Sequence, residues 1–186
     1  MADTAMLRAP VIPATSWLKA LPPALRLVLH GDARARALAA PHWRVGFSDM
    51  ACRAMVNGTR ATLWLGPDEY LLLDSAPDAS AAAVFEALDR ALADAPHALV
   101  DISHRQFALD LCGPHASAIL NGGCPLDLDL TEFPVGMCTR TVFAKADIVL
   151  WRTRPDAFHV EVWRSFAGYV GGVLAEIAKE FYGDAG

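Results

Sequence analysis

The chain has 186 residues, of which 16 are Lys or Arg and 21 are Asp or Glu, for a formal charge of −5 and an isoelectric point near 5.6. That length suits one domain that buries its own core without disulfide or metal, and an acidic balance with no dense cationic run argues against nucleic acid as a partner. No apolar stretch approaches the ~20 residues of a membrane span, and the start lacks the order of a signal peptide, so cytoplasmic residence is the default expectation.

In chain order, residues 1–23 carry Pro10, Pro13, Pro22 and Pro23, which remove backbone donors and push the residue before each out of helix. An extended N-terminal arm is expected there, lying on a partner or mobile, followed by a single domain over 24–186. From Leu25 the stretch LRLVLHGDARARALAA finds an echo at 107–122 in FALDLCGPHASAILNG, with Gly31 aligned to Gly113 and Leu38 to Leu120. Each copy reads as a strand with period-two apolar positions, a glycine at the turn and a short helix, and Pro114 suits a first helical turn. A second echo pairs LWLGPDEYLLL at 63–73 with LWRTRPDAFHV at 150–160. Both are hairpins about a Pro-Asp turn, and they align Trp64 with Trp151 and Pro67 with Pro155. Amphipathic helices close the two halves, one over about 80–95 with Phe85, Leu88 and Leu92 on its stripe, the other over about 166–182 with Phe166, Val170, Leu174, Ile177 and Phe181.

This order predicts an α+β fold made by duplication: two ferredoxin-like β-α-β-β-α halves, 24–97 and 98–182, with antiparallel sheet. Gly168, Gly171 and Gly172 interrupt the last helix at a cost of about 1 kcal/mol each relative to Ala. Such a run fits a neighbour that packs very close, either the chain's own sheet or another subunit.

Chemical constellations are few. Asp101, Ser103 and His104 have the residue types of a nucleophilic triad, but a strand would send Asp101 and Ser103 to one face and His104 to the other, so a strand start with satisfied polar groups is expected. Cys112, His115, Cys124 and Cys138 carry ligand types for zinc without a close-pair spacing, and with Cys52 the cysteines read as reduced core residues. Asp127, Asp129 and Glu132 alternate with leucines in CPLDLDLTEFP. A calcium loop of the EF-hand type needs Gly where Glu132 stands, so an ordered loop with an apolar underside is expected. Neither the dinucleotide nor the P-loop fingerprint occurs. No catalytic residue, cofactor-binding residue or metal ligand is therefore assigned to this chain.

The strand FHVEVWR at 158–164 divides into one face of Phe158, Val160 and Val162 and another of His159, Glu161 and Trp163. A Trp among polar residues on an outer face, followed by Arg164, has the character of an interface anchor. His159, Glu161, Trp163 and Arg164 are the candidate partner surface, with cover of Trp163 by the N-terminal arm as the alternative.

The run from Val100 to Phe166, with VDISHR, GPHASAILNGGCPLDLD, FPVGMCTRT, KADIVLWRT and FHVEVWRSF, resembles the gamma subunit family of bacterial heterotetrameric sarcosine oxidase, and WLGPDEYLLL extends the resemblance more loosely into the first half. The resemblance implies the folate-binding aminomethyltransferase-like fold and a non-catalytic subunit whose partners are the alpha, beta and delta subunits, mainly alpha. It implies a complex that oxidises sarcosine (N-methylglycine) with oxygen to glycine and hydrogen peroxide and, with tetrahydrofolate, yields methylenetetrahydrofolate. FAD, FMN, NAD, tetrahydrofolate and zinc would then belong to the other subunits and none to this chain. Two other readings stand beside it: a stand-alone binder of folate or another small molecule in a cleft between the halves, and a subunit of a related oxidase acting on dimethylglycine or another N-methyl amine.

Overall fold

The computed structural model describes residues 10, 12, 15–76 and 81–183. After a short strand β1 (Leu18–Ala20), the alternation that starts at Leu25 becomes strand β2 (Leu25–Gly31). Asp32 then opens helix α1 (Ala33–Trp43) by accepting the Ala35 N–H at 3.0 Å, which satisfies one of the orphan donors of the first turn. The strand must end in glycine here, because a Cβ on Gly31 would lie 2.6 Å from the Ala35 Cβ. Strands β3 (Ala54–Asn57), β4 (Arg60–Gly66) and β5 (Glu69–Asp74) follow, with the expected Pro67–Asp68 turn between the last two. Helix α2 (Ala81–Leu92) closes the first half, and strand β6 (His97–Asp101) leaves it.

The same series recurs as β7 (Gln106–Cys112), α3 (Ala116–Asn121), β8 (Cys138–Phe143), β9 (Ala146–Arg154), β10 (Ala157–Trp163) and α4 (Arg164–Tyr182). Each half thus runs β-α-β-β-β-α, one strand more than the sequence pattern predicts. The duplication extends to single hydrogen bonds. Gly31 N–H reaches Asp68 O at 2.8 Å and Gly113 N–H reaches Asp156 O at 2.9 Å, so the strand-end glycine and the Pro-Asp turn meet in the same way twice.

Two five-stranded antiparallel sheets result, ordered β3-β4-β5-β2-β6 and β8-β9-β10-β7-β1. Their outer strands are exchanged between the halves. β1 leads into the first half yet pairs with β7, Leu18 opposite Leu111, and β6 leads into the second half yet pairs with β2, Leu99 opposite Leu29. Two expectations are corrected by this. Leu18–Ala20 of the supposed arm form a strand of the chain's own second sheet, because Trp17 and Leu18 have apolar surface to bury and are 3% and 0% exposed; residues 1–9, 11, 13 and 14 lie outside the described residues. The division between 97 and 98 falls at the start of β6, which stays with the first sheet.

Each sheet carries its helices on one face. Leu27, Leu29, Trp43, Leu72 and Leu88 form the core of the first half, and Leu109, Phe133, Leu150, Val160 and Leu174 belong to that of the second. A third core of Leu63, Leu71, Leu73, Cys138 and Val149 lies between the sheets, so the layers run helix, sheet, sheet, helix. Along β5 the alternation is visible residue by residue: Tyr70 and Leu72 face the helices, Leu71 and Leu73 the other sheet. Between α3 and β8, Asp127 and Asp129 cap turns through the N–H groups of Asp129 and Thr131 at 2.9 Å each, while Leu128 and Phe133 are buried beneath. No helix among the described residues is long and apolar enough to cross a membrane.

Candidate functional site

Strand β10 divides as its alternation predicts, with Phe158, Val160 and Val162 in the helix-covered core. Its second face is not an outer face, because the first sheet lies over it. His159 is 8% and Glu161 1% exposed, which corrects their placement on a partner surface. Both Glu161 oxygens accept from Arg26 Nε, at 2.9 and 2.7 Å, and His159 Nε2 lies 2.7 Å from Glu161 Oε1. Arg26 Nη1 donates to Ala24 O at 3.1 Å. Burial pushes the Glu161 carboxyl up, but the hydrogen bond and field of His159 and the charge of Arg26 outweigh it, so the group stays below the ordinary carboxylate range. The cluster ties β2 of one sheet to β10 of the other, and its acceptors are occupied. It is a structural clasp rather than a free acid or base. The signal for it was the Arg inside the apolar strand LRLVL, a charge that a covered strand must pair.

Beyond Glu161 the same face reaches the surface. Trp163 is 44% exposed and lies under the Arg105 guanidinium, 4.8 Å from the ring centroid. Arg164 fixes the junction to α4 by donating its N–H to Arg105 O at 2.8 Å and its Nε–H to His104 O at 3.0 Å. On the first turns of α4, Phe166 and Tyr169 are exposed. Gly168 and Gly172 on the same helix are exposed, and a Cβ on either would meet nothing within 4 Å. The chain's own sheet is therefore not the close neighbour of these two glycines, although Gly171 is buried. The exposed aromatics at the head of α4 can bury apolar area.

The other constellations resolve into structure. Ser103 Oγ accepts the Arg26 N–H at 2.9 Å and Ser103 N–H donates to Asp101 Oδ1 at 2.8 Å, so both serve the turn after β6 and do not converge on His104. Among the described residues no group of three His, Cys, Asp or Glu is placed to hold a metal ion. The four cysteines are free thiols, and burial pushes the Cys138 thiol up to about 12, which makes it inert near neutral pH. Across the open end of the sheets Arg140 forms a double hydrogen bond to Glu69, 2.6 Å to each oxygen, and this bond holds the Glu69 carboxyl below its usual range against partial burial.

A family model described as "Sarcosine oxidase, gamma subunit family" matches residues 30–180. A sarcosine oxidase subunit gamma from Corynebacterium sp. (strain P-1) is 36% identical over 126 residues, which is 68% of this chain and 60% of that protein. Another from Arthrobacter sp is 38% identical over 100 residues, 54% of this chain and 47% of that one. The matches thus span less than two thirds of the length of these curated relatives. Among solved structures, a chain of the heterotetrameric sarcosine oxidase from Corynebacterium sp. U-96 in complex with pyrrole 2-carboxylate has a TM-score of 0.81 at 28% identity, covering 94% of this chain and 90% of that one. The glycine cleavage system aminomethyltransferase T of Bartonella henselae shares the fold, with a TM-score of 0.62 at 15% identity over 84% of this chain and 44% of that one. Agreement between a family model over most of the sequence and the strand and helix order just described has one reading: the chain belongs to the sarcosine oxidase gamma subunit family.

Proposed function

We propose that this chain is the gamma subunit of a heterotetrameric sarcosine oxidase and supports the catalytic subunits without touching the reacting bond. Family membership is the observation that carries the reading. In it, the complex oxidises sarcosine to glycine with release of hydrogen peroxide and passes the one-carbon unit to tetrahydrofolate as methylenetetrahydrofolate. FAD, FMN, NAD, tetrahydrofolate and zinc are held by the alpha, beta and delta subunits, and this chain packs mainly on alpha, in the cytoplasm.

The contact surface we assign is Trp163 and Arg164 with the neighbouring Phe166 and Tyr169. Exposed aromatics of this kind anchor interfaces, and the bare glycines of the same helix, Gly168 and Gly172, leave room for a partner's backbone. Co-expression of the tagged chain with the subunits of its complex, followed by gentle purification, tests this. Wild type should bring down three further subunits and flavin absorbance, and Trp163→Ala with Arg164→Ala should weaken retention by about tenfold or more while the circular dichroism spectrum shows a folded chain. Retention equal to wild type places the interface elsewhere, and a colourless chain purifying alone removes the subunit reading. Turnover of sarcosine against dimethylglycine then fixes the amine. The rival reading is a stand-alone folate binder: the space beside Gln106 and Glu161 measures about 240 Å³, but a second cleft between the halves, lined by Arg26, Arg60, Trp151 and His159, measures about 390 Å³, within the ~300–1,000 Å³ usual for ligand pockets. Calorimetric titration with tetrahydrofolate separates the two.

A further inference from the structure

Arg152, on β9, is as buried as Arg26, at 1% against 2% exposure, yet it has no carboxylate. Arg26 holds Glu161 and Arg60 holds Asp74 at 2.7 Å. Arg152 forms no ion pair among the described residues. Its Nη2 donates to Ser117 Oγ at 2.8 Å and Leu128 O at 2.6 Å, and the guanidinium lies 4.5 Å from the Phe158 ring centroid. Nε is enclosed without an acceptor, and Nη1 makes no hydrogen bond among the described residues. A buried cation whose direct contacts are a carbonyl, a hydroxyl and a ring lacks the contacting carboxylate that normally accompanies it. Burial makes this guanidinium a weaker base than ordinary arginine, with the field of Asp129 opposing.

Arg152 lines a surface depression of about 400 Å³ beside α3 and the 126–130 loop, together with Ser117, Asn121, Leu128, Asp129 and Leu130. Asp129 does not fill the missing role: its Oδ1 is engaged by the Thr131 N–H at 2.9 Å and hydroxyl at 2.7 Å, and it stays beyond ion-pair distance of Arg152. We propose that this depression is an anion site in which Arg152 receives one carboxylate group from another molecule. A singly charged group fits better than phosphate, because one contacting carboxylate is missing and the Asp129 carboxylate in the lining repels a dianion more strongly. The carboxylate has two possible sources, a small organic acid in solution or an Asp or Glu side chain of a partner subunit. Only the second source rests on the assembly proposed above.

The test uses the full chain and acetate as the probe, followed by NMR, with chloride at equal ionic strength as the control. A solution ligand gives a saturable acetate response that Arg152→Met abolishes while the circular dichroism spectrum is kept. Asp129→Asn guards against a variant that fails to fold: its amide oxygen still accepts from Thr131, and removal of the lining charge should tighten acetate binding several-fold. A partner carboxylate gives no acetate response in the free chain, but Arg152→Met that remains folded then loses about tenfold or more of subunit retention in the co-expressed complex. An acetate response indifferent to both substitutions, or a folded Arg152→Met chain that changes neither acetate binding nor retention, overturns the proposal. If no subunits co-purify with wild type, the assembly reading fails while the acetate arm still decides this one.

Discussion

Arg26 and Glu161 are the two residues on which the seam between the sheets depends most directly. Each is almost fully enclosed, so removing Arg26 leaves the Glu161 carboxylate buried with only His159 beside it, and breaking a buried pair in this way costs about 3–5 kcal/mol. Arg26→Met should therefore lower unfolding free energy by that amount in urea, and Arg26→Met with Glu161→Leu should recover most of it, since both charges then leave together. The pH dependence has a definite sign. Glu161 is held below its ordinary 4.5, so its contribution is complete above that pH and is lost as pH falls through the depressed folded value. A urea series between about pH 5 and 3 should show stability falling less steeply in Glu161→Gln than in wild type; equal slopes would mean that the other carboxylates held low, Glu69, Asp74 and Asp129, carry the acid limb. At this scale the sequence revealed which side chains share a face of β10 but not what covers that face. Period-two alternation encodes parity alone, and polarity was taken for exposure where an arginine from the other half had supplied the missing partner.

Among the elements, α4 is the one whose sequence conflicts with its surroundings. It is a 19-residue helix that places glycine at two exposed positions where the chain itself leaves open space. Exposed helical glycines cost about 0.5–1 kcal/mol each relative to alanine. Gly168→Ala and Gly172→Ala should each stabilise the isolated chain by roughly that amount in thermal or urea unfolding, and the double variant should hold fewer partner subunits in co-purification if the proposed contact surface includes these glycines. Stabilisation with full retention would separate the glycines from assembly. Long amphipathic stretches such as α2 and α4 and the hairpins around Pro67 and Pro155 were legible because their periodicity and turn chemistry agree. Strand β3 was not: it has four residues, three of them exposed, and its place is set by pairing with β4 rather than by any alternation of its own.

For the molecule as a whole, the exchange of β1 and β6 decides how the halves depend on each other. The duplication could be read from aligned glycines and Pro-Asp turns, but strand partners cannot, since nothing local in Leu18–Ala20 says that it pairs with β7 rather than β2. The exchange is matched on both sides: Leu21 N–H donates to Ala108 O and Ile102 N–H to Arg26 O, each at 2.9 Å, so the chain leaves each exchanged strand through an equivalent bond to the other half. Sheet two therefore lacks an edge without β1, and it also loses Trp17 and Leu18 from its core. A cut between Ser103 and His104 falls in the turn after β6 and gives a first piece that carries β1 and a second that needs it. Fragments 1–103 and 104–186 should recombine into a folded one-to-one complex, detected by circular dichroism and gel filtration. Fragment 24–103 keeps every strand of the first sheet and should bind 104–186 about 100-fold more weakly or worse, because burying a Trp and a Leu is worth about 3–5 kcal/mol and the β7 edge stays unpaired. Equal affinity of the two pairs would mean that β1 merely lies on the second sheet and that the halves are held by the inter-sheet core alone.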